Sequence, residues 1–187
     1  MEIMILHDPR NLDNDWELCQ QELERQGICA YWRELSVQAE TVVESINMTH
    51  KRAVYFAKYK GLPEVCIMES DVMFPAADGW EYFLRNKPDS FDLYLAGTYG
   101  DFDYHTEGGY YVRRPAGFHC YIIHEKYYDK FLATPPELHI DDAQEGWFSL
   151  CYPFAALQRP GWSATAKRKV NYNNDLLNNR KEDVYGW

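Results

Sequence analysis

Val65-Cys66-Ile67-Met68-Glu69-Ser70-Asp71 is the stretch that decides the fold. Four consecutive apolar residues read as a strand buried on both faces, and the run ends at once in carboxylates. Upstream, Val42, Ile46, Thr49, Ala53 and Ala57 recur three or four apart. That spacing predicts a helix with one buried face, capped by Ser36 and ended by Gly61 and Pro63. Residues 3–6 and 28–32 read as two more short strands. They are joined by a helix that Asn14 or Asp15 caps and Gly27 stops. Downstream come a short helix over 80–84, a strand over 91–96 stopped by Gly97, and a Gly-, Tyr- and charge-rich excursion over 97–116. A strand over 117–123, helices over 125–132 and 141–150, and a short apolar stretch over 151–157 follow. Strand–helix alternation predicts an α/β sandwich with a mostly parallel central sheet flanked by helices. Ligands bind such sheets beyond the carboxyl ends of the strands, where Glu69 and Asp71 fall.

The chain has 187 residues, enough for one self-sufficient core. The expected division is a single domain over 1–170 and a polar tail or lid over 171–187. Hydrophobic residues are 46% and charged residues 26%, which excludes a disordered chain, a collagen and a coiled coil. The formal net charge of −10 argues against a general nucleic-acid or membrane-surface binder. No apolar run is long enough to span a bilayer, and Glu2 sits where a secretion signal carries Lys or Arg. A cytoplasmic protein without stable membrane insertion is expected. The five cysteines are odd in number and form no C-x-x-C pair, so they read as buried free thiols. Phosphate-cradling glycine loops, H-E-x-x-H and G-x-S-x-G are all absent.

Four constellations remain. Glu69 and Asp71 are two apart, so on a strand they share a side and can hold a hard cation; the plainer reading is two solvated acids at a strand end. His139-Ile140-Asp141-Asp142 follows Pro135-Pro136 and opens the 141–150 helix, where one Asp caps and the other can serve as a general base. Gln158-Arg159-Pro160-Gly161-Trp162-Ser163 precedes Lys167-Arg168-Lys169, either a loop that folds over an anion or a solvated basic face. Tyr99, Tyr104, Tyr110 and Tyr111 crowd the excursion. Their rings suit sugar faces and bases, and equally suit packing a loop onto the domain. His50, beside the apolar helix face, reads as a core histidine.

Asn47-Met48-Thr49-His50 on a helix, followed by Val65-Cys66-Ile67-Met68-Glu69-Ser70-Asp71-Val72-Met73-Phe74, resembles the family-25 glycosyltransferases, the lipooligosaccharide and collagen-type galactosyltransferases. Their pattern is a Ser-His on a helix and an apolar strand ending in Glu-Asp-Asp-Val. Here Thr49 stands for the Ser, His50 matches, and Ser70 replaces the middle Asp. Phe91-Asp92-Leu93-Tyr94-Leu95-Ala96-Gly97 is similar to the family's strand ending in Gly. Residues 117–123 look like its acceptor-side strand, and Asp141-Asp142 falls at its Val-Asp pair. The resemblance spans roughly residues 46–165. It implies a glycosyltransferase-A fold, a nucleotide-sugar donor and a divalent metal, Mn²⁺ or else Mg²⁺. On that reading Asp71 and Glu69 hold the metal, and Asp142, failing it Asp141, is the base of an inverting transfer. His7, Asp8, Ser70, Lys167 and Arg168 meet the donor. Tyr99, Tyr110 and Tyr111 meet the acceptor, which is a glycan, a protein or a modified nucleic acid. Ser70 and the lack of any His after His139 support a second reading, a non-catalytic nucleotide-sugar or glycan binding module. A third, a nucleotidyltransferase, wants a Gly-rich basic loop that His7-Asp8-Pro9-Arg10 does not supply.

Overall fold

The computed structural model describes residues 1–10, 15–105, 109–174 and 180–187. In chain order β1 (Glu2–His7), α1 (Asp15–Arg25), β2 (Trp32–Leu35), α2 (Val42–Tyr59), β3 (Glu64–Glu69) and β4 (Val72–Met73) come first. Next are α3 (Gly79–Arg85), β5 (Leu93–Leu95), β6 (Phe102–His105), β7 (Gly109–Val112), β8 (Cys120–His124) and α4 (Tyr128–Leu132). β9 (Phe148–Leu150), β10 (Leu157–Gln158), β11 (Gly161–Ser163) and β12 (Arg168–Val170) complete the set. The main sheet has the order β2-β1-β3-β8-β5-β9-β7-β6.

β1 pairs in parallel with β2 and β3, and β5 with β9. β8 runs antiparallel to both β3 and β5, and β7 antiparallel to β9 and β6. The sheet is therefore mixed, which corrects the mostly parallel sheet expected. Alternating strands and helices fix the layers but not the direction of a strand that enters from the far end, as β8 does.

Period-two alternation builds one core on each side of the sheet. Met4, Val65, Ile67, Leu93, Leu95, Tyr121 and Ile123 face α2 and α4. Ile3, Ile5, Cys66, Met68, Tyr94, Cys120 and Ile122 face α1 and α3. The helix α2 starts at Thr41, not Ser36. The Thr41 hydroxyl accepts from the Glu44 N–H, and the Glu44 carboxylate accepts from the Thr41 N–H, a reciprocal capping box. Ser36 instead donates its N–H to the His7 carbonyl at 2.8 Å.

Other expectations shift. The second strand is residues 32–35 rather than 28–32. As an edge strand it is mostly exposed, so no apolar run marks it, while Ile28 packs into the core as part of the turn after α1. The excursion over 97–116 contains the β6–β7 hairpin. No helix spans 141–150: residues 140–143 form a turn, Gly146 at φ +152° interrupts the chain, and Phe148–Leu150 enters the sheet as β9. The expected cap Asn14 lies outside the described residues, as does 175–179 of the tail. Residues 180–187 pack onto the body, with Tyr185 stacked on Tyr82 at 3.8 Å and Val184 bridged to Phe154. All five cysteines are free; Cys29 is exposed and the other four are buried. Among the described residues, no helix is long and apolar enough to cross a membrane.

Gly97, just past β5, marks the tightest crossing. A Cβ there would sit 2.3 Å from the Ala156 carbonyl oxygen. Gly97→Ala should destabilise the protein by about 1–3 kcal/mol through overpacking. The check is the urea midpoint at unchanged slope; an unmoved midpoint would show that the chain after β9 is not held against β5.

Candidate active site

A cleft of about 400 Å³ opens at the carboxyl ends of β1 and β3. It is where the sequence placed it, because parallel strands deliver their last residues to one edge. β1 supplies His7 and Asp8. His7 is 5% exposed, its ring lies 5.2 Å from that of Trp16, and its Nδ1 has no hydrogen-bond partner. Burial, with the nearby Arg33 charge, holds the imidazole below its ordinary pKa. The Nδ1 is itself buried as well as unpartnered, so the ring walls the cleft without presenting that nitrogen to it. Asp8 grips Arg10 in a fork, Nε to Oδ1 at 2.9 Å and Nη2 to Oδ2 at 2.6 Å. The Arg10 hydrogen bond keeps the Asp8 carboxyl below its usual range.

β3 supplies Glu69, but not as one of a matched pair with Asp71. The strand ends at Glu69, and Ser70-Asp71 turn away toward β4. The β3–β8 pairing register ends at Met68–Cys120, and the Ser70 N–H bonds the Leu6 carbonyl at 2.9 Å, so the strand face stops before Asp71. Glu69 has the parity of Val65 and Ile67 and so points to the α2 side. There its Oε1 meets His50 Nε2 at 3.1 Å, while His50 Nδ1 meets the Tyr121 hydroxyl at 2.9 Å. Burial works to raise the Glu69 pKa, but the His50 hydrogen bond and charge override it and hold the carboxyl below its ordinary value. His50 is thus a buried histidine, as expected, and also the group that occupies Glu69.

Asp71 walls the cleft, and its Oδ2 accepts from the Gln158 side-chain amide at 2.6 Å. Gln158 belongs to a buried network. Its N–H donates to the Tyr99 hydroxyl at 2.9 Å, which donates to Asn173 Oδ1 at 2.7 Å, and Asn173 Nδ2 returns to the Gln158 carbonyl at 2.7 Å. Asn173 is 1% exposed, a role its place in a polar stretch does not reveal. Burial raises the Tyr99 pKa, so its hydroxyl stays protonated and serves the network.

The Asp pair approaches from the turn after α4. Asp141 accepts the Gly117 N–H at 2.9 Å and the Asp142 N–H at 2.9 Å. It pins a turn rather than capping a helix. Asp142 is exposed to the cleft; burial, then the neighbouring Asp141 charge, raises its pKa, against the pull of His139 and Arg114. Asn47, fully buried on α2, positions this turn by donating to the Pro135 and Leu138 carbonyls at 3.0 and 2.9 Å.

Of the residues singled out in the sequence, His7, Asp8, Glu69, Ser70, Asp71, Tyr99, Asp141 and Asp142 gather on this cleft. Lys167 and Arg168 sit on the β11–β12 hairpin and do not wall it. Tyr110 and Tyr111 lie on β7 away from it, Tyr110 stacked on Tyr152 at 3.8 Å. Gln158 and Trp162, in the loop read as folding over an anion or as a basic face, also border the cleft, while sequence reading gave no role to Arg10, Asn173 or Tyr172. The signal for Arg10 was its place two residues after Asp8; for the others, contacts between distant segments decide. Among the described residues, no three His, Cys, Asp or Glu side chains converge as a closed metal cage.

No protein-family model and no curated protein matches the chain. Solved structures resemble it distantly. One is a glycosyltransferase involved in glycosylation of the major capsid of PBCV-1, 12% identical, covering 70% of this chain and 63% of that one, TM-score 0.42. Another is HddC from Yersinia pseudotuberculosis complexed with GMP-PN, 14% identical, covering 80% and 88%, TM-score 0.47. A third is a mutant Drosophila galactosyltransferase 7 complexed with manganese, UDP-Gal and xylobiose, 14% identical, covering 96% and 74%, TM-score 0.47. The chain spans less than two thirds of the PBCV-1 enzyme. Likeness at this level carries no argument about activity, which rests on the cleft.

The Glu69–His50 bond has a testable sign. A depressed carboxyl pKa contributes stability that is full above the unfolded value, near 4.5, and is lost as pH falls through the folded one. Glu69→Gln should cost about 1.5–3 kcal/mol at neutral pH, and the gap to wild type should narrow in acid. Urea midpoints at neutral pH and below the carboxylate range check it; a constant gap would remove the charged hydrogen bond from the account.

Proposed function

We propose that the chain is a glycosyltransferase of the A-fold type, moving a sugar from a nucleotide-sugar donor to an acceptor hydroxyl with inversion. The observation that carries this reading is the convergence of His7-Asp8, Asp71 and Asp141-Asp142 on one cleft at the strand ends. Five free thiols suit a reducing compartment such as the cytoplasm.

The cleft walls carry five carboxylates, Asp8, Glu69, Asp71, Asp141 and Asp142, against one guanidinium, Arg10. A donor diphosphate is itself anionic and would be repelled without a cation. The oxygen-rich lining would suit a hard divalent ion, Mn²⁺ or Mg²⁺, and Asp71 is the residue that would hold it. Glu69 already compensates the buried His50 through Oε1, whereas Asp71 Oδ2 accepts only from the neutral Gln158 amide, so Asp71 is the ligand assigned. When bound, such an ion supplies positive charge against the departing nucleoside diphosphate. Asp142 accepts the proton of the acceptor hydroxyl as that oxygen attacks the anomeric carbon, and its raised pKa makes it the stronger base. Asp141 holds Asp142 in place through its N–H. His7 and Asp8 meet the nucleoside.

A binding module of the same fold is the second reading, favoured by Ser70 in place of an acid. Incubation with nucleotide sugars, with and without acceptors, separates the two: release of nucleoside diphosphate requires the enzyme.

Asp71→Asn should abolish Mn²⁺-dependent nucleoside diphosphate binding, since the amide keeps the shape without the charge. Calorimetry in Mn²⁺ and in EDTA checks this, and equal wild-type binding in both would end the metal reading. Asp142→Asn should slow transfer by roughly 10²–10⁴-fold with donor affinity nearly unchanged. Transfer at the wild-type rate, or a product that keeps the donor's anomeric configuration, would exclude Asp142 as the base of a direct displacement.

A further inference from the structure

One wall of the cleft is the β11–β12 hairpin and the residues that follow it. Trp162 and Tyr172 both border the cleft and remain 48% and 43% exposed. The setting of Tyr172 is firm. Ser163 Oγ accepts the Ala166 N–H at 3.1 Å and the Tyr172 hydroxyl at 3.2 Å, and Tyr172 leans on Tyr99 with ring centroids 5.7 Å apart. The next residue, Asn173, is the buried member of the Gln158–Tyr99 network. Two large rings thus stand partly exposed at the cleft wall, Tyr172 on a fixed base.

The charges around them narrow what those rings receive. Five carboxylates wall the cleft, and Arg10 is already gripped by Asp8. A polyanionic acceptor would meet a surplus of negative charge. The basic run Lys167-Arg168-Lys169 lies on the same hairpin but outside the lining, so the groups in contact with a ligand remain net negative. A neutral polyol with one apolar ring face meets no such barrier, and its C–H face matches an aromatic face.

We propose that the acceptor is a neutral carbohydrate and that Trp162 and Tyr172 form the platform on which its rings stack. This rests on the transferase reading for the word acceptor, while the platform itself holds equally for a glycan-binding module. It selects the glycan from the glycan, protein and modified nucleic acid considered at the outset. Trp162 and Tyr172 replace Tyr110 and Tyr111 as the acceptor-side rings.

The test is saturation-transfer NMR and tryptophan fluorescence with maltotriose, cellotriose, mannotriose, xylotriose and galactobiose at millimolar concentration. A single-stranded oligodeoxynucleotide carrying 5-hydroxymethylcytosine is the anionic probe. At least one saccharide should bind, and Trp162→Ala should weaken it about tenfold or more while Trp162→Phe retains most of the affinity. Melting temperature and Mn²⁺-dependent UDP or GDP binding should be unchanged in both variants. No binding by any saccharide, equal binding by Trp162→Ala, or preference for the oligonucleotide would overturn the proposal. Saccharide binding that depends on Trp162 without any nucleotide binding would defeat the transferase reading and leave the platform standing; the reverse pattern would defeat the platform alone.

Discussion

The structure depends on one insertion, β8 running against both β3 and β5 at the centre of the sheet. His119, at its entrance, is fully buried and ties three segments at once. Its carbonyl accepts the Glu69 N–H at 2.9 Å, the next residue's carbonyl accepts the Ala96 N–H at 3.0 Å, and its Nε2 bonds the Ala156 carbonyl at 3.0 Å. Burial keeps this imidazole below its ordinary pKa, so it bonds as a neutral ring. Two residues earlier, Gly117 at φ +85° donates its N–H to Asp141. The strand that closes the sheet thereby also sets the Asp pair.

Buried polar side chains do the fine positioning. Asn47 reaches from α2 to the turn before Asp141, and Gln144 returns from beyond it to Thr134 Oγ1 at 3.0 Å and the Ile140 carbonyl at 2.8 Å. Asn173 does the same for the hairpin wall. Each would cost free energy if left unpaired, so each holds its partners to a narrow geometry. The cleft walls are therefore fixed by amides, and amide N–H groups also hold two of its acids, Asp71 and Asp141.

The sequence made the layers legible because hydrophobic period reports burial directly. The four-residue run before Glu69, the α2 face and the acids at the strand end all follow from it. Direction and edge position were not legible. β8 is as apolar as a parallel strand, and β2 is so exposed that Ile28 drew the strand four residues early. The 141–150 helix failed because two acids after Pro-Pro mimic an N-cap, whereas Asp141 spends one oxygen on the N–H of the next residue and the other on the distant Gly117 N–H. In the candidate site, acids on adjoining strand ends could be read, but the pairing of Glu69 with His50 could not. It depends on a helix and a strand meeting across the core, as does the burial of Asn173 behind Tyr99.

That pairing changes the chemistry of the triplet. Two acids flanking Ser70 suggest a shared ligand, yet they face different demands. Glu69, half inside the core, must be compensated there, and His50 with Tyr121 behind it does so; its charge is structural. Asp71, past the strand end, keeps its place in the cleft. A similar division separates Asp141, whose oxygens are held by main-chain donors, from Asp142, whose carboxyl has a raised pKa beside it. In each pair the acid nearer the scaffold is spent on geometry and the outer one borders the cleft, Asp71 with its Oδ2 held by the Gln158 amide. Adjacent carboxylates in different environments are how one cleft holds a fixed charge and a proton acceptor together. The carboxylates leave the cleft wall net negative, so an anionic ligand there meets repulsion unless positive charge accompanies it.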